Sequence, residues 1–507
     1  MLKRDTLKFS RGEYDLLVIG GGINGAAIAN LGAYNGLNVA LIEKNDFAGG
    51  TSGKSTKLLH GGLRYLANLE FDLVRESLRE RMIQLTNAPH LAKPLGFIIP
   101  AYQTDCRPLW MLRLGVALYD WLSGKFLIEK HRRLSAPEVI NLLPGIEATN
   151  LVGGVLYFDA QMDDARICLE KALSAAQQGA HVANYVEARA FIKENGKAVG
   201  VEAVDLLSQR LFQIRAKRVV CAVGPWTNQV LAKENRNTAP KVRTTKGIHI
   251  VYRGKISPHA VVISNQKDGR IFFLIPWKDE SLIGTTDTDY QGNLDDVRAD
   301  DGDIDYLFSE AARVFPHIAF DRQKIITTFA GLRPLVFSPG NPSRVSRKHA
   351  IEESYSKTIY VMGGKYTTYR KIAEDVLAKI VKTKLKDTTQ YYPLVGNQPS
   401  SPASPGHIPE PEFPAGLDVN VVQALRGLYG SRYTEVLSFL ATKEDANQRI
   451  CSCSTAIKAQ VYYAVESEMA CRPEDIMERR LGLIYHSCSK GDCRKAVQEV
   501  LSQYSIS

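Results

Sequence analysis

A glycine-rich turn near the start of the chain constrains the fold more than any other feature. An apolar run from Asp15 breaks into Gly20-x-Gly22-x-x-Gly25, and a second apolar run ends at Glu43, about twenty residues later. The first run is typical of a buried parallel strand, and the glycines let the chain approach a pyrophosphate at the N-terminus of the next helix. Glu43 is placed to accept hydrogen bonds from an adenosine ribose. This order of elements predicts a dinucleotide site.

Further glycine-bearing segments follow the first one. A loop of small and polar residues lies after Glu43, a second strand–glycine unit stands at Ala222-Val223-Gly224, and a late turn contains Gly363-Gly364-Lys365. A nicotinamide enzyme normally continues to a third strand after such a loop, whereas a flavin enzyme needs close backbone approach along an extended cofactor. The three segments together therefore favour a flavin dinucleotide.

The composition is that of an ordinary globular protein, with 45% hydrophobic and 23% charged residues over 507 positions. This length suffices for two or three domains. No apolar stretch is long enough to cross a bilayer, and the N-terminal residues lack a signal-peptide core. We therefore expect a cytoplasmic protein.

Lysine and arginine number 64 against 54 aspartates and glutamates, which gives a net charge of +10. The excess favours anionic partners such as phosphorylated substrates, nucleic acid or an acidic membrane face. It is spread along the chain, and its densest clusters, such as Lys130–Arg133, are short. Such clusters are typical of a solvated face, and no basic stripe indicates nucleic-acid binding.

The apolar pattern changes character along the chain. Between residues 63 and 85 the helical spacing predicts an amphipathic helix, and from Gly247 to about Gly284 apolar segments between polar turns predict an antiparallel sheet. The apolar and aromatic residues 107–124 are compatible with a buried helix or an interfacial one. Six of the 22 prolines fall between Pro399 and Pro414, which predicts an extended linker before a helical domain.

On these motifs the chain resembles the FAD-dependent, respiratory glycerol-3-phosphate dehydrogenases of the D-amino-acid-oxidase-like flavoprotein group. The resemblance covers nearly the whole chain. Matching text includes VIGGGINGA, TSGKSTKLLHGGLRYL, AVGPWT, KGIHIV, IPWKDESLIGTTDTDY, GLRPL, GGKYTTYRKIAEDVL and EMACRPEDIMERR. Two departures are Ile248, where the family often has a small residue, and the cysteines near the C-terminus.

The resemblance implies an α/β fold in which a Rossmann-like FAD-binding domain carries an inserted antiparallel-sheet substrate domain. Residues 1–390 form this oxidoreductase region. Its FAD-binding parts are about 12–95, 150–235 and 350–390, and its substrate parts are about 96–149 and 236–349. A proline-rich linker, 391–416, leads to a C-terminal helical domain, 417–507.

The cofactor is FAD in this comparison, and its contacts are expected from the glycine segments and the loops beside them. The cofactor-binding residues implied are Gly20, Gly22, Asn24, Gly25, Glu43, Thr51, Ser52, Ser55, Thr56, Lys57, Leu58, His60, Gly61, Gly62, Ala222, Gly224, Trp226, Gly331, Gly363, Gly364 and Lys365.

The resemblance also makes Arg333 the principal substrate-facing guanidinium, with Arg64, Tyr65, Arg347, Lys365 and Thr367 nearby. A phosphomonoester carries nearly two charges and several acceptor oxygens, so it requires cationic donors, and the fork of an arginine suits it best.

His249 lies in a strand-like run and is the candidate acceptor for the hydroxyl proton while a hydride leaves for the flavin. The ordinary pKa of histidine is near neutrality, which suits that role. The charge of Lys365 and the helix that begins after it are expected to stabilise an anionic reduced flavin.

Five of the eight cysteines crowd the C-terminal part of the chain. Cys451, Cys453, Cys488 and Cys493 could supply four thiolates to an iron–sulfur cluster, in a spacing that loosely resembles bacterioferritin-associated ferredoxin domains. The alternative is free, reduced thiols in a helical domain. We expect free thiols and no metal, because the related family folds its helical domain without one.

The sequence therefore predicts oxidation of sn-glycerol 3-phosphate to dihydroxyacetone phosphate, with electrons passing through FAD to a membrane quinone. Because no spanning segment is present, the protein should bind the cytoplasmic face of the inner membrane peripherally, and a homodimer is compatible with this. The rivals are an oxidase that uses oxygen, an RNA-modifying flavoprotein and a non-catalytic flavin-binding protein.

Overall fold

The structure is a computed structural model that describes most of the chain. The described residues are 4–105, 107–264, 270–337, 348–381, 385, 389–390, 392–398, 417–487 and 491–504.

The strands, numbered in chain order, are β1 Glu13–Tyr14, β2 Leu16–Ile19, β3 Val39–Ile42, β4 Leu58–Leu59, β5 Ala92–Tyr102, β6 Arg132–Leu134, β7 Leu151–Met162, β8 His181–Ala183, β9 Val186–Glu194, β10 Lys197–Asp205, β11 Leu211–Ala216, β12 Val219–Cys221, β13 Val242–Tyr252, β14 Ala260–Ser264, β15 Ile271–Trp277, β16 Glu280–Gly284, β17 Thr288–Asp289, β18 Ile325–Val336, β19 His349–Glu353 and β20 Ile359–Gly363.

The α-helices are α1 Ile23–Tyr34, α2 Phe71–Asn87, α3 Leu109–Ser123, α4 Ala136–Leu142, α5 Asp164–Gln177, α6 Thr227–Glu234, α7 Asp301–Val314, α8 Tyr369–Ile380, α9 Val419–Tyr429, α10 Tyr433–Leu437, α11 Lys458–Glu468 and α12 Asp492–Leu501. A π-helix, Asp475–Arg480, lies between α11 and α12.

A six-stranded sheet in the order β19-β20-β12-β2-β3-β8 contains the predicted dinucleotide unit. Its strands from β20 to β8 run parallel, and β19 is antiparallel at the edge. Alternate residues of β2 face opposite sides: Leu16 and Val18 pack with helices α1, α5 and α8, whereas Leu17 and Ile19 pack with a four-stranded sheet of β1, β11, β10 and β9. Because both faces are covered, all four side chains are buried, as a parallel strand requires.

The largest sheet has the order β17-β13-β16-β15-β14-β5-β7-β4, with β18 paired to β13 and β6 paired to β7. Its pairs are antiparallel except for the parallel pair β14–β5, so the predicted antiparallel sheet is present with one parallel contact. Strand β7 belongs to this sheet, although we had placed residues from about 150 onward in the FAD-binding part. Together with the helices, the sheets confirm the predicted α/β class.

One predicted helix is interrupted, and another takes one of the two forms that the sequence left open. The segment 63–85 is not one helix, because Leu69 adopts a left-handed conformation (φ 58°) that separates a 3-10 turn, Leu63–Asn68, from α2. Helix α3 leaves large apolar side chains in solvent: Trp110, Leu114 and Trp121 are 63%, 63% and 70% exposed. The exposed face favours the interfacial interpretation of this helix over the buried one.

The C-terminal part is helical and forms its own core around α9, α11 and α12. The start of the predicted linker is packed: Val395 is buried, and the Leu394 amide donates to the Asn87 carbonyl at 3.1 Å. Residues 399–416 lie outside the described residues. Helices within the described residues are all too short or too polar to cross a membrane.

Buried ion pairs dock the C-terminal helices onto the first domain. Arg480 and Arg479 both contact Asp46, the latter at 2.6 Å, and Arg166 donates to Glu468 at 2.8 Å. Burial opposes ionisation of Asp46, but the two guanidinium groups hold its pKa below the ordinary value. Breaking such a pair would leave a buried charge, so the docking is specific.

The expectation of free C-terminal thiols is wrong for two of the cysteines. The structure places Cys451 and Cys493 as a disulfide pair, and the Cys453 sulfur lies 3.7 Å from that of Cys493. Cys488 lies outside the described residues.

Candidate active site

A cavity of about 850 Å³ is lined by residues of the six-stranded and the largest sheet. This volume is in the range of pockets that hold small molecules and cofactors. The glycine segments predicted from the sequence contribute to its wall.

The first glycine turn depends on the absence of side chains. Gly20 has φ 108°, and a Cβ there would lie 2.5 Å from the Ala222 carbonyl oxygen. A Cβ on Gly25 would overlap the Gly20 carbonyl, so Gly25 is needed for α1 to pack against the turn. Gly20 and Gly22 line the cavity, whereas Gly25 is buried behind it.

Glu43 stands at the end of β3, as predicted, and lines the cavity. It accepts hydrogen bonds from the Gly21 amide at 2.6 Å and the Asn45 amide at 2.8 Å. Desolvation raises the pKa of Glu43 above its ordinary value, and the two backbone donors oppose this rise. Each carboxylate oxygen can accept more than one hydrogen bond, so Glu43 can also bind a ribose hydroxyl.

Asn24 at the start of α1 also lines the cavity, and its buried Oδ1 has no hydrogen-bond partner among the residues that the structure describes. Buried polar atoms are normally satisfied. The side-chain oxygen of Asn24, Oδ1, is therefore available to accept a hydrogen bond from a ligand.

The loop after Glu43 is fixed by its hydroxyl groups. Ser52 accepts from the Ile23 amide at 2.9 Å, and Thr51 donates to the Leu332 carbonyl at 2.6 Å. Ser55 donates to Asp164 at 2.6 Å. These contacts join the loop to helix α1, strand β18 and helix α5, while Thr51, Ser52 and Ser55 line the cavity.

Lys57 lies behind the cavity wall, in an ion pair with Asp164. Both side chains are essentially inaccessible to solvent. Burial disfavours the ammonium, yet the adjacent carboxylate raises the pKa of Lys57 above its ordinary value, so the lysine stays charged. Its placement assigns Lys57 to holding the loop rather than to direct contact with a ligand in the cavity.

Most of the other predicted cofactor residues line the cavity, and one is buried behind its wall. Gly61 is buried away from the cavity, where its amide donates to the Tyr119 hydroxyl at 2.8 Å. Those that line the cavity are Thr56, Leu58, His60, Gly62, Ala222, Gly224, Trp226, Gly331, Gly363, Gly364 and Lys365.

Arg333 on β18 extends over the backbone of the paired strand β13. A Cβ on Gly247 would overlap its guanidinium, so a larger residue there would displace the guanidinium from this position. The guanidinium donates to Asp287 at 3.1 Å, to the Thr285 hydroxyl at 2.9 Å and to the Thr286 carbonyl at 3.1 Å. These contacts fix its orientation, and the side chain remains 20% exposed at the cavity.

His249 on β13 lies at the same cavity and is only 2% exposed. Its ring stacks on Phe329 with centroids 4.8 Å apart, and its Nε2 is 3.0 Å from the Thr56 hydroxyl oxygen. Nδ1 is buried without a partner within the described part of the chain. One polar contact and one stacked ring thus define the imidazole's setting.

The expected near-neutral pKa of His249 is wrong. Burial lowers the pKa well below the ordinary value of histidine, and the charges of Arg333 and Lys57 lower it further. His249 is therefore neutral at physiological pH. A neutral imidazole can accept a proton, and this one does so against an environment that disfavours its cationic form.

Lys365, Tyr65 and Thr367 are also brought to the cavity, as predicted. The Lys365 ammonium lies 3.7 Å from the Tyr65 ring centroid and donates to the Ser77 hydroxyl at 3.1 Å. The Thr367 hydroxyl lies 3.5 Å from the His60 carbonyl oxygen. The side chain of Arg64 and the whole of Arg347 lie outside the described residues.

Sequence reasoning missed the partners of Arg333. Asp287 and Thr285 occur in the string IGTTDTDY, which we had used only as a sign of resemblance. A carboxylate and a hydroxyl directly after an apolar strand could have indicated a polar site at that strand end. Their pairing with Arg333 depends on the packing of β16 and β18 against β13.

The chain is similar to known proteins along nearly its whole length. The family model described as FAD dependent oxidoreductase matches residues 15–367, and the model of the C-terminal domain of alpha-glycerophosphate oxidase matches residues 356–505. The chain is 38% identical over 491 residues to the glycerol-3-phosphate dehydrogenase of Synechocystis sp., which covers 93% of this chain and 89% of that protein. It is 33% identical over 520 residues to the aerobic glycerol-3-phosphate dehydrogenase of Staphylococcus epidermidis, with 99% and 93% covered.

A solved structure is similar over the same extent. The glycerol-3-phosphate dehydrogenase from Bacillus halodurans, complexed with FAD, matches with a TM-score of 0.80 at 29% sequence identity. The match covers 99% of this chain and 92% of that one.

Proposed function

Since this chain belongs to the family of FAD-dependent glycerol-3-phosphate dehydrogenases, we propose that it oxidises sn-glycerol 3-phosphate at C2 to dihydroxyacetone phosphate. The observation that carries this proposal is the convergence of Arg333 and His249, from paired strands, on the cavity that the glycine segments line. The guanidinium of Arg333 is suited to binding a phosphate, and the imidazole of His249 is suited to accepting a hydroxyl proton.

The cavity fits FAD, the cofactor of this family. The glycine turns leave backbone within reach of a pyrophosphate, and Glu43 can accept from a ribose. Asn24 Oδ1, which has no partner among the described residues, offers a further acceptor. Bound FAD supplies the acceptor for the hydride that leaves C2 of the substrate.

Arg333 is proposed to bind the substrate phosphate. Its guanidinium is planar and permanently charged, so it can form two parallel hydrogen bonds to phosphate oxygens. Asp287 and Thr285 hold it in one orientation before the substrate arrives, which reduces the entropy lost on binding.

His249 is proposed to accept the hydroxyl proton as the C–H bond breaks. With hydrogen on Nε2, the ring donates to the Thr56 hydroxyl and leaves the Nδ1 lone pair for the incoming proton. Stacking on Phe329 fixes the ring plane. Oxidation of the alcohol then balances as one proton to the imidazole and one hydride away from C2.

We further propose that the electrons pass to a membrane quinone and that the protein binds the membrane peripherally. Support comes from α3, which exposes Trp110, Leu114 and Trp121. Leu114 and its neighbours Met111 and Leu118 also line the cavity, so the exposed apolar face is continuous with it. An exposed apolar helix face on a chain with a net charge of +10 suits an acidic bilayer surface.

The test begins with anaerobic reduction of the bound flavin by a panel of polyol phosphates and their unphosphorylated alcohols. We expect the flavin to bleach with glycerol 3-phosphate much faster than with glycerol. No reduction by any phosphorylated alcohol would refute the dehydrogenase assignment and favour a non-catalytic flavin protein.

The electron acceptor requires a separate measurement. During aerobic turnover without quinone, a quinone-dependent enzyme should form little peroxide, and a short-chain quinone should restore turnover. Peroxide formed in equal amount to product would identify an oxidase, the rival that the site residues leave open.

A further inference from the structure

Three cysteine sulfurs from two distant parts of the C-terminal domain meet at one point. Cys451 and Cys453 lie in the segment before α11, and Cys493 is the second residue of α12. The Cys453 sulfur is 2.9 Å from that of Cys451 and 3.7 Å from that of Cys493, and all three lie within 4.8 Å of one another.

A disulfide between Cys451 and Cys493 accounts for only two of these sulfurs. The Cys453 sulfur remains in contact with both sulfurs of that disulfide. A metal ion accommodates all three: with metal–sulfur bonds of about 2.3 Å, thiolates at neighbouring corners of a tetrahedron are about 3.8 Å apart. The 3.7 Å between the Cys453 and Cys493 sulfurs equals such an edge, whereas the Cys451 sulfur lies closer to both and would move outward on binding a metal.

The surroundings favour thiolates at this point. Cys493 is fully buried and stands in the first turn of α12, where the helix dipole stabilises negative charge. The Ser454 hydroxyl oxygen is 3.8 Å from the Cys451 sulfur, close enough for a weak hydrogen bond. Cys451 and Cys493 belong to the same buried core as Ile457 and Val497, and Cys453 packs against it partly buried.

The segment that carries two of the cysteines has little regular structure. Between a 3-10 helix, Ser438–Ala441, and α11 the backbone consists of turns and bends, with one isolated bridge from Arg449 to Ile457. A ligand shared with α12 would fasten this segment to the core. Structural metal sites act in this way, by closing a loop that packing alone does not hold.

We propose that Cys451, Cys453 and Cys493, once cellular thiols have reduced the Cys451–Cys493 disulfide, bind a thiophilic transition metal, either as a zinc ion or as the iron of an iron–sulfur cluster. Both kinds of site use cysteine thiolates as ligands. The same three cysteines would therefore bind the metal in either case. The inference is independent of the proposed function. The fourth cysteine of the sequence pattern, Cys488, lies outside the described residues and carries no part of it.

The experiment measures zinc, iron and acid-labile sulfide in the full-length protein purified anaerobically without added metal. We expect about one zinc per chain without sulfide, or iron and sulfide in matching amounts, since one site is proposed. Cys453→Ser and Cys493→Ser should each lower the metal content roughly tenfold or more, because each removes a ligand.

Cys471→Ser is the matched control. Cys471 lies in the same domain outside the cluster, and burial raises the pKa of its thiol to about 12, so it is a poor ligand. This variant should keep its metal. Circular dichroism establishes whether each variant is folded.

A second measurement does not depend on the variants. Cobalt(II) added to metal-free wild-type protein should produce thiolate-to-cobalt charge-transfer absorption and the intense visible bands of a tetrahedral site. The proposal is overturned if anaerobic wild-type protein contains less than about a tenth of a metal per chain and binds no cobalt. It is equally overturned if non-reducing peptide mapping finds an intact Cys451–Cys493 disulfide in that protein.

Discussion

Replacing Arg333 with methionine tests the assignment of the substrate phosphate to this guanidinium. Methionine keeps the length and apolar stem of the side chain but removes the charge and all N–H donors. Because Arg333 lies at the cavity and is oriented by Asp287 and Thr285, its loss should affect a ligand in the cavity directly.

The magnitude follows from the kind of contact. A hydrogen bond to a charged group contributes about 1.5–3 kcal/mol, which corresponds to roughly 10- to 150-fold in kcat/KM. We expect a loss in this range for glycerol 3-phosphate with Arg333→Met, and a larger one if two parallel hydrogen bonds are lost. For glycerol, which has no phosphate, the loss should be less than about threefold. Arg333→Lys should lie between wild type and Arg333→Met, since it keeps the charge.

The assay is stopped-flow reduction of bound flavin under anaerobic conditions, with both alcohols over a range of concentrations. Arg322→Met is the matched control, because Arg322 precedes the same strand β18 but pairs with the exposed residues Asp301 and Asp305 outside the cavity. It should change kcat/KM by less than about twofold, as exposed ion pairs contribute little. Equal losses with both alcohols in Arg333→Met would refute phosphate binding by Arg333.

Three further predictions follow from the same site. Glu43→Ala should raise the dissociation constant for FAD roughly 10- to 150-fold in equilibrium dialysis, because a charge-assisted acceptor is lost, and undiminished FAD retention would contradict its role. Since the pKa of His249 is lowered, wild-type flavin reduction should stay constant as the pH falls through about 6.5 and decline only in more acidic solution, where the neutral ring becomes protonated. A break at about 6.5, or an unchanged rate in His249→Ala, would exclude this residue as the proton acceptor. Arg480→Met should destabilise the docked C-terminal domain by about 3–5 kcal/mol in thermal unfolding, because it leaves buried Asp46 with one of its two arginines, and Asp46→Asn in the same chain should recover part of the loss.

Local signals in the sequence were sufficient for the dinucleotide unit. Strand β2, the turn at Gly20 and helix α1 follow directly from an apolar run, glycines and small residues that are adjacent in the chain. Glu43 could be placed because β3 ends there and neighbours β2 in parallel. Each of these features involves residues within about thirty positions, where periodicity and turn chemistry determine the structure.

Long-range pairing was not visible in the same way. In the four-stranded sheet, Glu13–Tyr14 pairs with Leu211–Ala216. The residues of neither segment indicate that the other is its partner. The break at Leu69 was also missed, because apolar spacing reports which face is buried and not whether each φ remains helical. For the same reason the sequence could name Arg333 and His249 but not their contacts with Asp287, Thr285 and Thr56, which depend on sheet packing.

Buried charges show where residue type alone misleads. Lys57 stands in a loop that lines the cavity, and the family resemblance placed it among the cofactor-binding residues. In the structure it turns inward to Asp164, with the rings of Trp277 and Phe329 5.8 and 5.4 Å away. An ammonium at such a depth is stable only with its carboxylate, so its function is to hold the loop that carries Ser52 and Thr56.

Asp46 connects the cofactor loop to the far end of the chain. It lies three residues after Glu43, beside Lys44, Asn45 and Gly49, which line the cavity. Arg479 and Arg480 hold it from the C-terminal domain, and the cost of separating these buried charges resists any movement of the loop. The position of the loop against a bound cofactor therefore depends on the docking of the C-terminal helices, which gives that domain a role in the site although none of its described residues lines the cavity.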